Sequence, residues 1–159
     1  MHTKQEHDMN SFLNKLIEQA RQDNVQKLSV GGVLLHEGKL LILKRCAHDF
    51  MPNIYELPGG GLEAHESLIQ ALERELHEET NCTIDKLIGY VGHLDFPSSD
   101  GLLTRRFNFL IYPKTPFLIQ LTEHQDHCWI LPEDADQYEI TPQTRRIILC
   151  IAQDKIHRF

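Results

Sequence analysis

The periodic spacing of apolar residues predicts three helices. Between residues 10 and 24, apolar side chains recur at intervals of three and four behind a cap at Asn10 or Ser11, so we expect an amphipathic helix that covers one side of the core. A second helical pattern runs from residue 68 to 79. The cap and proline pair Thr141-Pro142 predicts the start of a third helix.

Runs of aliphatic, aromatic and β-branched residues predict the strands. Gly38 suits a hairpin turn, the three glycines 59–61 interrupt the pattern, and PSSDG (97–101) forms a later turn. The predicted strands are KLSVGGVLLH (27–36), KLLILKR (39–45), NIYELP (53–58), CTIDKLIGYVGHLDF (82–96), LLTRRFNFLIYP (102–113) and HCWIL (127–131). Strands interleaved with helices predict an α/β domain, a mixed β-sheet with helices on its faces.

The composition is typical of one soluble domain. The chain has 159 residues, of which 41% are hydrophobic and 25% charged, and no apolar run approaches the roughly 20 residues that cross a bilayer. The polar start MHTKQEHDMN has no apolar signal core, so we expect a cytoplasmic protein without membrane association.

Net charge and cysteine spacing argue against two kinds of site. A net charge of -7 argues against broad neutralisation of nucleic-acid phosphates, although a local basic groove stays open. No C-x-x-C pair is present, which disfavours a zinc knuckle or a redox dithiol. We expect the four cysteines to be reduced and mostly buried: Cys46, Cys82, Cys128 and Cys150.

The predicted second helix ends in a cluster of carboxylates. Ser67 and Gln70 form a capping-box pattern at its start. Glu75, Glu78 and Glu79 repel one another and meet the negative end of the helix dipole, each effect costing on the order of 0.3–1 kcal/mol. A divalent cation would turn this repulsion into binding energy, and carboxylate oxygens favour Mg²⁺ or Mn²⁺ over Zn²⁺. The alternative is a solvated acidic face.

The segment before this helix favours the metal site. LPGGGLEAHES (57–67) supplies glycines, whose backbone can approach a ligand closely, followed by Glu63 and Glu66. Between residues 60 and 82 there are six glutamates and one arginine, Arg74. We expect Arg74 to pair with Glu66 or a neighbouring carboxylate and to fix the loop onto the helix.

Residues 60–82, GGLEAHESLIQALERELHEETNC, resemble the Nudix box G-x5-E-x7-R-E-U-x-E-E-x-G-U, in which U is aliphatic. With the order of strands and helices around it, the resemblance covers roughly residues 28–152. The matching positions are Gly60, Glu66, Arg74, Glu75, Leu76, Glu78 and Glu79.

Three positions depart from the family's pattern. Asn81 stands where the box has glycine, Cys82 where it has its last aliphatic residue, and His65 where many members have glycine. Asparagine tolerates the left-handed conformation wanted after a helix, and cysteine behaves as a small hydrophobe. We therefore expect the fold to survive these changes, none of which touches an implied metal ligand.

The resemblance implies a Nudix-like α/β/α sandwich with a mixed β-sheet. It assigns residues 28–159 to a Nudix hydrolase domain and residues 1–27 to an N-terminal helical extension packed on the core. The implied activity is metal-dependent hydrolysis of the pyrophosphate linkage in a nucleoside diphosphate joined to a group X, of the nucleoside triphosphate or nucleotide-sugar type.

The same resemblance implies the residues of the site. Glu75, Glu78 and Glu79 are the implied ligands of Mg²⁺ or Mn²⁺, joined by the Gly60 carbonyl, and Glu78 and Glu79 are also implied in catalysis. Glu66 and Arg74 are expected to support the site structurally.

Residues outside the box supply further candidates. The resemblance implies a base or an extra metal ligand from a loop beyond the box, and LTEHQDHCW (121–129) supplies Glu123 as the first choice, with His124 and Asp126 behind it. The alternative is that all three are exposed loop residues. Arg45, at the end of a strand, is a candidate for binding phosphate or for a plain salt bridge. Four aromatic residues are candidates for stacking on a nucleobase or for core packing: Phe50, Tyr55, Phe96 and Phe107.

Two other functions stay open. One is a nucleotide-binding sensor of the same fold without catalysis, which the complete glutamate set disfavours. The other is an acidic domain that binds a partner and no ligand. We expect a small-molecule nucleotide as substrate, because the negative net charge disfavours nucleic acid as a partner. The N-terminal helix is a candidate for a homodimer interface.

Overall fold

The computed structural model describes residues 2–159. Within them, the elements in chain order are α1 (His2–Gln22), β1 (Lys27–His36), β2 (Lys39–Arg45), β3 (Tyr55–Glu56), β4 (Gly59–Gly61), α2 (Leu68–Thr80), β5 (Ile84–Pro97), β6 (Leu103–Pro113), β7 (His124–Ile130), a 3₁₀ helix (Pro132–Gln137), α3 (Pro142–Ala152) and β8 (His157–Arg158). The three predicted helices and six predicted strands are all present. The 3₁₀ helix, β4 and β8 were not predicted.

Three boundaries differ from the prediction. Helix α1 begins at His2, so Asn10 and Ser11 lie inside it and neither is its cap. The glycines 59–61 form strand β4, which pairs with β1 instead of interrupting the sheet. Strand β7 begins at His124, because its pairing with β2 extends to that residue.

Strand β1 is the central strand of the mixed sheet. One edge pairs in parallel with β6 from Lys27 to Leu34. The opposite edge changes partner along its length, pairing with β4 at residues 29–31 and with β2 at Leu35 and His36. Strand β2 pairs with β3 and β7, and β5 pairs with β6 and β8.

Two adjacent glycines in β1 let different groups approach its two faces. A Cβ atom at Gly32 would lie 3.0 Å from a methyl carbon of Leu76, so α2 packs closely against this face. A Cβ atom at Gly31 would lie 2.4 Å from Oδ1 of Asn108 and 3.1 Å from Cδ of Arg106. Helix and arginine therefore meet β1 from opposite sides.

Hydrophobic clusters cover both faces of the sheet. The first contains Leu13 and Ala20 of α1 and Leu72 and Leu76 of α2, packed against sheet residues such as Phe107. The second contains Ile147 and Ile148 of α3, packed against other sheet residues including Val33, Leu40, Ile42 and Leu110. The predicted α/β/α arrangement with a mixed sheet is confirmed.

Contacts in the middle of α1 and just after its C-terminal end hold it on the sheet. Asp23, just after the helix, accepts a hydrogen bond of 2.8 Å from Arg105, whose guanidinium also forms two bonds of 2.8 Å with Asp95. Phe12 stacks on His157 with ring centroids 3.9 Å apart. Helix α1 is thus packed against the sheet, while the assignment of residues 1–27 to an N-terminal extension and of residues 28–159 to the domain stays a prediction.

The local signals around α2 act as predicted. The side chains of Ser67 and Gln70 form the reciprocal capping box, and Asn81 takes the left-handed conformation with φ 62° and ψ 17°. Cys82 is buried, as a small hydrophobe would be. The other three cysteines, Cys46, Cys128 and Cys150, are free and partly buried, so burial is complete only at Cys82. None of the helices within residues 2–159 has the length and apolarity to span a membrane.

Candidate active site

Arg74 connects the glycine-rich segment to the middle of α2. Its Nε and Nη2 atoms donate to the Glu66 carboxylate at 2.6 and 2.9 Å, and Nη2 also donates to the Gly61 carbonyl at 2.9 Å. Hydrogen bonds from Arg74 and from the Glu63 amide lower the pKa of Glu66 to about 2. The pairing expected from the sequence is present, and it fixes the loop before α2 in place.

The three glutamates of α2 have different surroundings. Glu75 accepts a hydrogen bond of 2.8 Å from Arg74 Nη1 and lies so close to Gly60 that a Cβ atom there would be 2.4 Å from its carboxylate. Glu78 lies 3.3 Å from the same Nη1 and is more than half exposed. Glu79 is 6% exposed and accepts a hydrogen bond of 2.8 Å from the Gly59 amide.

Burial raises the pKa of Glu79 to about 7, although the Gly59 amide opposes the shift. The charge of His124 also lowers this pKa, while that of Glu75 raises it further. The region around Glu79 therefore disfavours another negative charge and favours a positive one.

Within residues 2–159, no three His, Cys, Asp or Glu side chains converge in an arrangement that would hold a metal ion. The donor set nevertheless fits a divalent cation. Glu75 occupies the space beside Gly60, and the Gly60 carbonyl accepts a hydrogen bond of 2.9 Å from Ser29 Oγ. Carboxylate and carbonyl oxygens are the ligands that hard cations prefer.

A cavity of about 470 Å³ opens beside Glu79, where β1 changes partner from β4 to β2. Of the residues predicted from sequence, Arg45, Glu79, Glu123 and His124 line it. Gly60, Glu75, Glu78 and Asp126 lie outside its lining. The complete lining is Arg45, His48, Asp49, Glu56, Gly59, Glu79, Arg106, Glu123 and His124.

Glu56 joins three strands on one wall of this cavity. Its carboxylate accepts from His124 Nε2 at 2.8 Å and from Arg45 Nη1 at 3.1 Å. Burial raises the pKa of Glu56, but the bond from His124 and the charges of Arg45 and Arg106 outweigh burial and leave the pKa below its usual value. Burial lowers the pKa of His124, but bonding to Glu56 and nearby carboxylates leave it above its usual value. The side chains of Glu56, Arg45 and His124 thus form a network in which the negative charge of Glu56 is balanced within the protein.

Glu56 and Arg106 are the lining residues of most interest that sequence reasoning missed. A signal for Arg106 was present, since two consecutive arginines stand in the otherwise apolar strand LLTRRFNFLIYP and must point to opposite faces. Glu56 lies in NIYELP, which offered no comparable signal.

The four aromatic candidates have separate environments. Phe107 is 1% exposed and packs in the core, and Tyr55 contacts Tyr138 edge to face. Phe50 is 85% exposed and follows the lining residue Asp49. Phe96 lies beneath Arg106, with 5.8 Å between its ring centroid and the guanidinium carbon.

Comparison with known proteins gives consistent matches in sequence and structure. The sequence pattern of the NUDIX domain matches residues 25–149. The chain is 32% identical over 114 residues to CTP pyrophosphohydrolase of Escherichia coli, covering 71% of this chain and 82% of that protein. It is 36% identical over 106 residues to 8-oxo-dGTP diphosphatase of Proteus vulgaris, covering 64% and 86%.

The fold is similar to that of a NUDIX hydrolase from Nitrosomonas europaea, with a TM-score of 0.70 and 22% identity, covering 84% of this chain and 93% of the other.

Proposed function

Because this chain belongs to the NUDIX family of pyrophosphohydrolases, we propose that it hydrolyses the pyrophosphate linkage of nucleoside triphosphates in the presence of Mg²⁺ or Mn²⁺. The names of the two sequence relatives, which act on CTP and 8-oxo-dGTP, support this class of substrate over nucleotide sugars. A panel of nucleoside triphosphates that differ in their nucleobase would identify the preferred base.

One observation carries the proposal: two buried or half-buried carboxylates of α2 lie directly against the glycine strand. Glu75 fills the space beside Gly60, and Glu79 is bonded to the Gly59 amide beside the cavity. Glu75 is paired with Arg74, whereas Glu79 is buried with the Gly59 amide as its hydrogen-bond partner, an arrangement that is costly for a carboxylate unless a cation joins it. The cavity beside Glu79 has the volume of a small-molecule site.

In the proposed site, Glu75, Glu78, Glu79 and the Gly60 carbonyl would hold the divalent cation. When bound, the cation neutralises phosphate oxygens and lowers the pKa of water. Arg74 and Glu66 keep α2 in register with the glycine strand through the hydrogen bonds of 2.6 and 2.9 Å. Arg45 contributes positive charge to the cavity, partly offset by Glu56.

The proposed reaction is an attack of water on a phosphorus atom of the anhydride. A new P–O bond forms, the anhydride P–O bond breaks, and its electron pair leaves with the departing phosphate oxygen, so a nucleoside triphosphate yields a monophosphate and pyrophosphate. In this proposal Glu123 accepts the proton, a role supported by its exposure and by its position in the cavity lining. His124 is less suited because its Nε2 is bonded to Glu56 and its Nδ1 is buried.

The test is a comparison of Glu78→Gln with Glu73→Gln, which changes an exposed glutamate of the same helix outside the proposed ligand set. Each is assayed with a panel of nucleoside triphosphates and Mg²⁺, with products identified. We expect Glu78→Gln to lose at least about 10- to 100-fold in rate, the range seen when only the supports of metal ligands are removed, and Glu73→Gln to match the wild type.

Two outcomes would contradict the proposal. Equal rates for both variants and the wild type would exclude Glu78 as a ligand. A wild type that binds nucleotides without cleaving any of the panel would instead favour the sensor function.

A further inference from the structure

The cavity contains two arginines with different electrostatic environments. Arg45 donates to Glu56 at 3.1 Å, and the other oxygen of Glu56 is held by His124. Its charge is therefore largely satisfied within the protein. Arg106 has no carboxylate within salt-bridge distance among residues 2–159.

The hydrogen bonds of Arg106 leave its terminal nitrogens available. Its one side-chain hydrogen bond among the described residues runs from Nε to Ser29 Oγ at 3.3 Å. The Phe96 ring covers one side of the guanidinium. The preceding residue, Arg105, is by contrast fully engaged by Asp95 and Asp23. The same strand thus presents one structural arginine and one with donors to spare.

A glycine in strand β1 leaves space for the Arg106 side chain. Arg106 lies opposite Ser29 in the parallel register, and the stem of its side chain passes Gly31, where a Cβ atom would be only 3.1 Å from its Cδ. Any larger residue at position 31 would push the stem away from β1. The absence of a side chain there therefore helps to set the path of the guanidinium.

Ser29 links Arg106 to the glycine strand. Its hydroxyl accepts from Arg106 Nε at 3.3 Å and donates to the Gly60 carbonyl at 2.9 Å. Arg106 also lines the cavity together with Glu56 and Glu79, the carboxylates of its two walls. The guanidinium thus lies at the side of the cavity formed by the glycine strand, where the proposed function requires the phosphates of the substrate.

We propose that Arg106 is the main protein donor to the phosphate oxygens of the substrate, an inference that rests on the proposed function. A guanidinium presents planar paired donors that match phosphate oxygens. A partly buried cation without a counter-ion is unfavourable unless an anion joins it. A nucleobase carbonyl would accept a hydrogen bond but leave the charge uncompensated, so phosphate fits better than base.

The experiment compares Arg106→Met, Arg106→Lys and Arg146→Met in the full chain. Arg146 is exposed on α3 and does not line the cavity, so its replacement removes the same formal charge elsewhere. Steady-state kinetics on several nucleoside triphosphates give kcat and KM separately. Calorimetric titration with inorganic pyrophosphate and Mg²⁺ reports phosphate binding without any need for catalysis, and thermal unfolding reports folding.

We expect Arg106→Met to raise KM and to weaken pyrophosphate binding by roughly 10- to 100-fold, the effect of losing charged hydrogen bonds. The loss should be similar for every nucleobase, smaller for Arg106→Lys, and absent for Arg146→Met. If Arg106→Met does not fold, the test rests on Arg106→Lys. A folded Arg106→Lys protein with the wild-type KM and the wild-type affinity for pyrophosphate would contradict the inference.

Other outcomes separate this inference from the proposed function. Unchanged pyrophosphate binding with a loss confined to one nucleobase would make Arg106 a base-reading residue and overturn the inference. Weakened pyrophosphate binding in a protein that cleaves no nucleotide would support the phosphate site while contradicting the proposed function.

Discussion

Replacement of Gly60 by alanine should damage the site while leaving the fold intact. Gly60 has no positive φ, so alanine is compatible with its backbone. Its new Cβ atom would, however, lie 2.4 Å from Cδ and Oε1 of Glu75. Because non-bonded carbon contacts are optimal at about 3.5–4.0 Å, the carboxylate must withdraw by roughly 1 Å.

Such a withdrawal has two expected effects. A misplacement of about 1 Å in a catalytic group costs on the order of 100-fold in rate. The hydrogen bond of 2.8 Å from Arg74 Nη1 to Glu75 would also be lost, which lowers the free energy of unfolding by about 1–3 kcal/mol. Initial rates of hydrolysis measure the first effect, and urea unfolding measures the second.

The matched control is Gly61→Ala, one residue along the same strand. A Cβ atom at Gly61 has Leu28 O, at 4.0 Å, as its nearest neighbour and meets no steric conflict. We expect Gly61→Ala to retain the wild-type rate. Equal rates for Gly60→Ala and Gly61→Ala would refute the placement of Glu75 in the active site, because the two variants differ chiefly in the contact with that carboxylate.

Two further predictions concern stability. Ser67→Ala removes the side-chain cap of α2 and should lower the free energy of unfolding by about 1 kcal/mol in urea titrations, whereas Ser67→Asp, which can still cap, should not. Asp95→Asn should lower it by about 1–3 kcal/mol at pH 7, because Arg105 is buried and loses a charged partner. Hydrogen bonding from Arg105 holds the pKa of Asp95 below its ordinary value, so the stabilisation is complete above about pH 4 and is lost as the pH falls through the pKa of the folded state. The difference between wild type and Asp95→Asn should therefore shrink on acidification; a difference that stays constant down to pH 2 would contradict this linkage.

Features set by neighbouring residues were predictable from the sequence. The capping box of Ser67 and Gln70, the Thr141 cap and the left-handed Asn81 all depend on residues within one helical turn. The pairing of Arg74 with Glu66, eight positions apart, follows from the end of a loop folding back on a helix. The six predicted strands were also readable, since each contains an apolar or β-branched run bounded by a turn.

Features set by distant pairing were not predictable. The glycines 59–61 form a strand only because β1 offers an edge there, and nothing in their own side chains indicates a strand. Glu56 and His124 are 68 positions apart, so the residues around one of them do not indicate its hydrogen bond with the other. Helix α1 includes the polar residues before its apolar stripe, and these residues carry no periodic pattern that would have predicted a helix there.

The cavity draws its walls from two parts of the sheet, with consequences for how this family diverges. Gly59, Glu79 and Arg106 belong to the part that includes β4, α2 and β6, whereas Glu56 and His124 lie on β3 and β7. Where β1 meets β2, the described pairing consists of two residue pairs at the hairpin. Substitutions on β3 and β7 can therefore accumulate in a lineage without disturbing the hydrogen bonds between the glycine strand and α2. Variation in that wall would alter the shape of the cavity while the acidic helix keeps its hydrogen bond to the glycine strand.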